Sequence, residues 1–213
     1  MMKGHEPETM AGMTPDLKEV LERLIAPDAH LRSGAVDELA EVKGVEDDPL
    51  FIYLLATRLL DPDLEIRFQV VKVLGRMLEF EHNQHTLQGR SLEILVSYLA
   101  DFEKDQYVKL LEVSEAYLAA EESLTAILKV CSYAGNSLGG IVNDRKLPVR
   151  IRQQAIFFCG EIGFMGTADA LRNLISRVEK DRIRSGFEAA RKNKKDQEAL
   201  YTYALSALGK LGV

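Results

Sequence analysis

The chain is poor in the residue types on which disulfide-rich and metal-binding folds depend. It has no tryptophan, two cysteines and four histidines among its 213 residues. Because Cys131 and Cys159 both fall in apolar, helix-like patterns, we expect two buried free thiols and no disulfide framework. No run of 18 apolar residues occurs, so the sequence predicts no membrane-spanning helix. Residues 1–13 lack an apolar signal-peptide core, and we expect a flexible tail there, one domain over 14–213 and a cytoplasmic protein.

The sequence also lacks the motifs of common catalytic and cofactor sites. It has no glycine-rich phosphate loop after a strand, no nucleophile elbow and no zinc-protease helix motif. His82 and His85 have a spacing that would suit a metal ion on a helix, but the polar residues around them are typical of an interhelical loop. We therefore predict no catalytic residue, no cofactor and no metal ion, and a binding protein rather than an enzyme.

Charge is distributed unevenly along the chain. The net charge is −6, yet Arg172–Lys195 holds nine basic and three acidic residues, which leaves −12 for the remainder. An acidic body disfavours nucleic acid as the partner, because the phosphate backbone would be repelled. Two interpretations of the basic segment stay open: a solvated helix face laced with ion pairs, or a docking place for an anionic partner at Arg177–Lys195.

Apolar residues recur at i, i+3, i+4 and i+7 along most of the chain, which is the spacing of amphipathic helices. One segment also recurs, at residues 26–35, 61–70 and 146–155, and the last two copies are followed by glycine at matched positions, Gly75 and Gly160. The offsets of 35 and 85 predict a further copy near Asp105–Lys109 and five helix pairs in all. The first helices are predicted near 15–25, 49–60, 88–101, 122–136 and 167–185, and their partners near 29–43, 63–80, 105–120, 148–163 and 196–211, with helix ends at Gly139–Gly140 and Gly163–Gly166.

The pattern Asp-x-x-(Val/Ile)-Arg-x-x-(Ala/Val), which opens the second helix of a pair, resembles the HEAT-repeat family. It stands here as Asp28/Leu31/Arg32/Ala35, Asp63/Ile66/Arg67/Val70 and, without the aspartate, Ile151/Arg152/Ala155. The resemblance covers about residues 15–212 and implies an all-α fold, a right-handed α-solenoid of about five HEAT-like helix pairs. It also implies that the recurring arginines bind turn aspartates or carbonyls of adjacent units, as a structural ladder of Arg32, Asp63, Arg67 and Arg152.

Families that share this architecture include assembly scaffolds, adaptors, phycobilin lyase subunits and a group of DNA glycosylases, and the fold does not choose among them. We expect a non-catalytic adaptor or scaffold that binds a protein partner through its concave helix face. An enzyme subunit of the phycobilin-lyase-like or HEAT-type DNA glycosylase class is the alternative. A structural member of a larger assembly also stays open, with an apolar patch at Leu205–Val213 as its sign.

The residues predicted to bind the protein partner lie on corresponding faces of the second helices of the second and fourth helix pairs. We name this set the concave strip. The prediction is tested by reversing the charges of Lys72 and Arg76 together, which should abolish binding of the protein partner. It consists of Gln69, Lys72, Arg76, Gln154, Phe157 and Glu161.

Overall fold

The computed structural model describes residues 17–42, 44–79, 87–131, 133–184 and 191–213, and the regular structure of these residues is entirely helical, as the sequence predicts. The α-helices in these ranges are α1 (Leu17–Leu24), α2 (Ala29–Glu41), α3 (Pro49–Thr57), α4 (Leu64–Leu78), α5 (Gly89–Ala100), α6 (Lys104–Ala116), α7 (Glu121–Lys129), α8 (Ala134–Asn143), α9 (Val149–Ile162), α10 (Ala168–Arg184) and α11 (Arg191–Leu211). Short 3₁₀ turns adjoin several of them, at Val45–Asp47, Arg58–Leu60, Leu118–Ala120 and Met165–Thr167.

Aspartate side chains fix where several helices begin. The Asp28 carboxylate accepts a hydrogen bond from the His30 amide at 2.7 Å, and the Asp63 carboxylate accepts one from the Glu65 amide at 2.8 Å. These bonds satisfy amides that have no partner inside the helix. At the other end of a helix, Gly163 has φ +79° and ends α9, as predicted, because a residue without a Cβ adopts this left-handed conformation at little cost.

Some helices pack against the next helix in the chain, whereas α3 packs mainly against α5 and α4 against α7. α1 packs against α2, α8 against α9 and α10 against α11. The second helices also form a series of their own, in which α2, α4, α6, α9 and α11 each contact the next. A hydrophobic core extends from Val20 on α1 to Leu211 on α11 and includes residues of both the first and the second helices. Each helix therefore buries its apolar face on its neighbours.

The predicted helix at 122–136 is wrong. The chain forms α7, which ends at Lys129, and then turns before α8 begins at Ala134. α8 takes the predicted place beside α9, whereas α7 packs against α4. The apolar spacing runs on across the turn, so periodicity alone gives no sign of the break. Cys131 consequently lies in the turn and not in a helix, although it is buried, with its sulfur 3.2 Å from the Tyr107 hydroxyl.

The predicted helix end at Gly139–Gly140 is also wrong, because both glycines lie inside α8. Their helix is glycine-rich because other residues approach it closely. A Cβ on Gly135 would lie 3.0 Å from Cγ of Phe164, and one on Gly139 would lie 3.4 Å from Cβ of Ala170. The glycines thus weaken the intrinsic helix propensity of α8 while allowing tight packing against the chain that follows α9.

The matched glycines of α4 and α9 have the same structural role. A Cβ on Gly75 would lie 2.5 Å from Cα of Ser123 on α7, and one on Gly160 would lie 2.9 Å from Cα of Ala207 on α11. Side-chain carbons do not approach a backbone atom this closely, so each glycine allows a following helix to contact its own helix backbone. α7 therefore lies on α4 as α11 lies on α9.

Some sequence predictions concern residues outside the described ranges. These are the tail at 1–13 and the pair His82 and His85. Of the helices in the described ranges, none combines the length and the apolar character needed to cross a bilayer.

Candidate functional site

The recurring arginines differ in the partners that they bind. Arg32 donates two hydrogen bonds to the Asp61 carboxylate, from Nε at 2.8 Å and from a terminal nitrogen at 2.9 Å. Its other terminal nitrogen donates to the carbonyls of Ala26 and Pro27. Both charged groups are buried, so this bidentate pair joins α2 to the turn before α4.

The ladder uses Asp61 and not Asp63, so the prediction for Asp63 needs correction. Asp63 caps its own helix, whereas the side chain of Asp61 is fully buried in the turn and faces Arg32. Arg67 donates to the main-chain carbonyl of Asp61 at 2.8 Å and to the Glu112 carboxylate at 2.9 Å. The Asp61 turn therefore receives arginines from α2 and from α4.

Arg152 is the exception among the three arginines. It is 7% exposed, and it donates from Nε to the Val142 carbonyl at 2.9 Å. Among the described residues, no carboxylate forms an ion pair with it. The hydrogen bond to Asp61 raises the pKa of Arg32, whereas burial, followed by the charges of Arg177 and Arg145, lowers the pKa of Arg152 to about 10.

Most residues of the concave strip contact neighbouring helices. Gln69 donates to the Ser33 hydroxyl at 2.8 Å, and Lys72 donates to the Ala119 carbonyl at 3.2 Å. Gln154 accepts a hydrogen bond from the Ser114 hydroxyl at 3.2 Å, Glu161 is paired with Lys210, and Arg76 is exposed on α4. The two glutamines therefore bridge successive second helices, which accounts for their place on this face.

Phe157 and Glu161 belong to a large cleft that the described residues form. Its volume is about 820 Å³, and it lies between the end of α4, the 3₁₀ turn at Leu118–Ala120, α7 and α9. The residues that line it are Leu78, Glu79, Leu118, Ala119, Glu121, Glu122, Thr125, Ala126, Lys129, Val130, Phe157 and Glu161. We refer to it as the acidic cleft.

The acidic cleft combines an apolar surface with negative charge. Leu118 is 77% exposed, which is high for a leucine, and Phe157 is half-buried. Glutamates outnumber lysines in the lining by four to one. Glu161 is paired with Lys210, whereas Glu79, Glu121 and Glu122 have no ion pair within the described part of the chain. The cleft thus presents apolar side chains beside carboxylates that are available to a partner.

A second, smaller cleft adjoins the first at Phe157. It has a volume of about 220 Å³ and is lined, beyond Phe157, by Thr202, Tyr203, Ser206, Ala207 and Lys210. The ring of Phe157 meets that of Phe158 edge to face at 5.1 Å between centroids, and the Lys210 ammonium lies 5.5 Å from its centroid. Phe157 is therefore held between the two clefts and does not project freely.

The sequence did not point to α7 as the centre of a site. Glu121 and Glu122 follow the exposed Leu118, and that adjacency of acidic and apolar residues is a weak signal. What makes them part of a cleft is the packing of α7 against both α4 and α9. This arrangement depends on the close contact at Gly75, which the sequence pattern alone does not reveal.

The basic segment is laced with ion pairs where the structure describes it. Arg172 contacts Asp169, Arg145 contacts Asp181, and Arg182 is paired with Glu198. Lys194 and Lys195 are exposed, and residues 185–190 lie outside the described ranges. The solvated-face interpretation is thus favoured for Arg172 and Arg182.

Nucleophilic and metal chemistry find little support in the described side chains. Burial raises the pKa of Cys159 to about 12, so its thiol stays protonated and unreactive at neutral pH. No group of three or more histidine, cysteine, aspartate or glutamate side chains in these ranges is placed to hold a metal ion. Comparison with models of protein families finds no match, and comparison with curated proteins finds none either.

Proposed function

We propose that the chain is a non-catalytic, cytoplasmic HEAT-type adaptor that binds a basic segment of a protein partner in the acidic cleft. The observation that carries this proposal is the cleft itself, with its apolar lining and three glutamates that form no ion pair with any described residue. The bound segment is expected to present lysines or arginines to Glu79, Glu121 and Glu122, and apolar side chains to Leu118 and Phe157. Complementary charge would speed association and select the partner.

Two features support a right-handed α-solenoid of HEAT-like pairs as the architecture. The second helices contact one another in series, as stacked repeats require. The arginine of one unit binds the turn of the next, since Arg32 of α2 contacts Asp61 before α4. In this architecture α7 is an additional helix that lies over α4, and it forms one wall of the cleft.

The acidic lining argues against a DNA glycosylase as the alternative function. Such a protein would hold the phosphate backbone on its concave face, and Glu79, Glu121 and Glu122 would repel it there. The same cleft would attract a basic protein segment, because its charge is opposite to that of the glutamates. The adaptor is therefore the better supported of the two functions.

Charge reversal tests the cleft directly. The variant carries E121K with E122K and is compared with wild type by affinity capture from the native host, with the captured proteins quantified by mass spectrometry. We expect the partner's recovery to fall at least about tenfold, because two attractive contacts become repulsive. Binding that survives the double substitution would contradict the proposed site.

A matched control separates the cleft from a general effect of charge. E93K with D101K makes the same change in charge at exposed positions on α5 and just after it. This variant should capture the partner as wild type does. The variant K72E with R76E tests the concave strip separately. Neither side chain lines the acidic cleft, and the change adds negative charge, so capture of a basic partner should not fall. A loss of the partner with K72E and R76E would show that the concave strip takes part in binding.

A further inference from the structure

Three arginines meet at the C-terminal end of α8. Arg152 of α9 donates to the Val142 carbonyl at 2.9 Å, and Arg177 of α10 donates to the side-chain oxygen of Asn143 at 3.1 Å. Arg145 follows in the turn after α8. Val142 and Asn143 are consecutive residues, so Arg152 and Arg177 bind the same end of α8. Burial, followed by the charges of neighbouring arginines, lowers the pKa of both, which is consistent with guanidinium groups that lie within electrostatic reach of one another.

The positive charge at this point exceeds what helix capping requires. One nitrogen of Arg152 satisfies a carbonyl in the last turn of α8, which is an ordinary capping contact. A guanidinium carries five N–H donors, and the terminal nitrogens of Arg152 have no hydrogen-bond partner among the described residues. The terminal nitrogens are not among the buried polar atoms that lack a partner, so they reach solvent and are accessible to an anion, although the side chain as a whole is only 7% exposed.

Among the described residues, the acids near these arginines are too few to balance their charge. Asp181 contacts Arg145 at 3.6 Å. Asp144 accepts hydrogen bonds from the Lys104 ammonium at 2.6 Å and from the amide of Lys146. Counting Lys104, Lys146 and the three arginines against Asp144 and Asp181 leaves three positive charges in excess.

We propose that Arg145, Arg152 and Arg177 form a binding site for a phosphate group at the C-terminal end of α8. Planar guanidinium groups match the oxygens of a phosphate, and several arginines around one anion are a recurring mode of phosphate recognition. A phosphate dianion compensates more of the excess charge than a carboxylate does. It would also give the terminal nitrogens of Arg152 the acceptors that they lack.

Isothermal titration calorimetry with inorganic phosphate, at ionic strength held constant with potassium chloride, tests this site. We expect wild type to bind phosphate, and Arg152→Met and Arg177→Gln each to weaken binding at least about tenfold. Arg150→Gln is the matched control, because Arg150 lies on the same helix and is paired with Glu115 at the surface. Its affinity for phosphate should equal that of wild type.

Further arms of the titration use acetate and O-phosphoserine. Acetate should bind much more weakly than phosphate, and equal affinity would overturn the assignment to phosphate. Tighter binding of O-phosphoserine than of phosphate would identify a phosphorylated side chain as the source of the ligand, and the reverse would identify free phosphate. If Arg152→Met does not fold, as judged by circular dichroism, Arg177→Gln decides. No phosphate binding by wild type, or unchanged binding in Arg177→Gln, would overturn the proposal.

Discussion

The turns before α4 and α9 occupy comparable places in the repeat pattern, yet they handle positive charge differently. In the first, buried Asp61 receives Arg32 from α2, and its main-chain carbonyl receives Arg67. In the second, Asp144 lies nearer the surface and receives Lys104 from α6, while Arg152 binds no described residue but the Val142 carbonyl. We call these two turns the first and second junction. The first contains a buried ion pair, and the second contains an arginine that forms no ion pair with a described residue. The same motif arginine is thus neutralised by a buried carboxylate at one turn and has no described counter-charge at the other, which is the basis of the proposed phosphate site.

The largest effect is expected from the buried pair. Asp61→Asn removes the carboxylate and leaves Arg32 buried without a counter-charge, which should lower the free energy of unfolding by about 3–5 kcal/mol. Arg152→Met, at the other junction, replaces an unpaired buried cation with an apolar side chain of similar length. We expect it to change stability by less than about 1 kcal/mol without phosphate. Urea unfolding measures the stability of both variants. Equal losses of stability would contradict the proposed difference between the two junctions.

The matched glycines should be similarly sensitive at both places. Gly75→Ala and Gly160→Ala force a methyl group against Ser123 and Ala207, and each should cost about 1–3 kcal/mol, with the larger loss at Gly75. Gly34→Ala is the control, because a Cβ on this helical glycine meets nothing within 4 Å. It should gain up to about 1 kcal/mol from better helix propensity. Urea denaturation would contradict the packing role if all three variants behaved alike.

The smallest effect is expected from the surface pair at the second junction. Lys104, and then the amide of Lys146, lower the pKa of Asp144 below its usual value. The stabilisation that the Lys104–Asp144 ion pair contributes is therefore complete above the unfolded-state pKa of about 4. It is lost as the pH falls through the lower pKa of the folded state. Asp144→Asn should lower the thermal midpoint slightly at pH 7, and the difference from wild type should vanish on acidification. A difference that grows in acid would have the wrong sign.

The sequence predicted the helical class and most helix positions because their apolar spacing is regular and several begin at aspartate caps. It failed at α7 and α8, where one apolar pattern spans two helices, and tertiary packing decides where the chain turns. The resemblance to HEAT repeats implied that Arg32 binds a turn aspartate or carbonyl and placed Asp63 in this ladder, since only the fold shows that Asp61 faces inward. Two residues of the predicted concave strip, Phe157 and Glu161, do line the acidic cleft. The cleft residues of α7 were not predicted, because the residues that they contact in the fold are distant from them in sequence.

The acidic cleft can be tested most directly by photocrosslinking from within it. A photoreactive phenylalanine analogue at Thr125, which lines the cleft, is compared with one at exposed Glu93 on α5, in the native host. We predict that Thr125 alone crosslinks a partner, and that the attached peptide, mapped by mass spectrometry, carries net positive charge and apolar residues. The same crosslinks from both positions, or an acidic attached peptide, would contradict binding of a basic partner segment in this cleft.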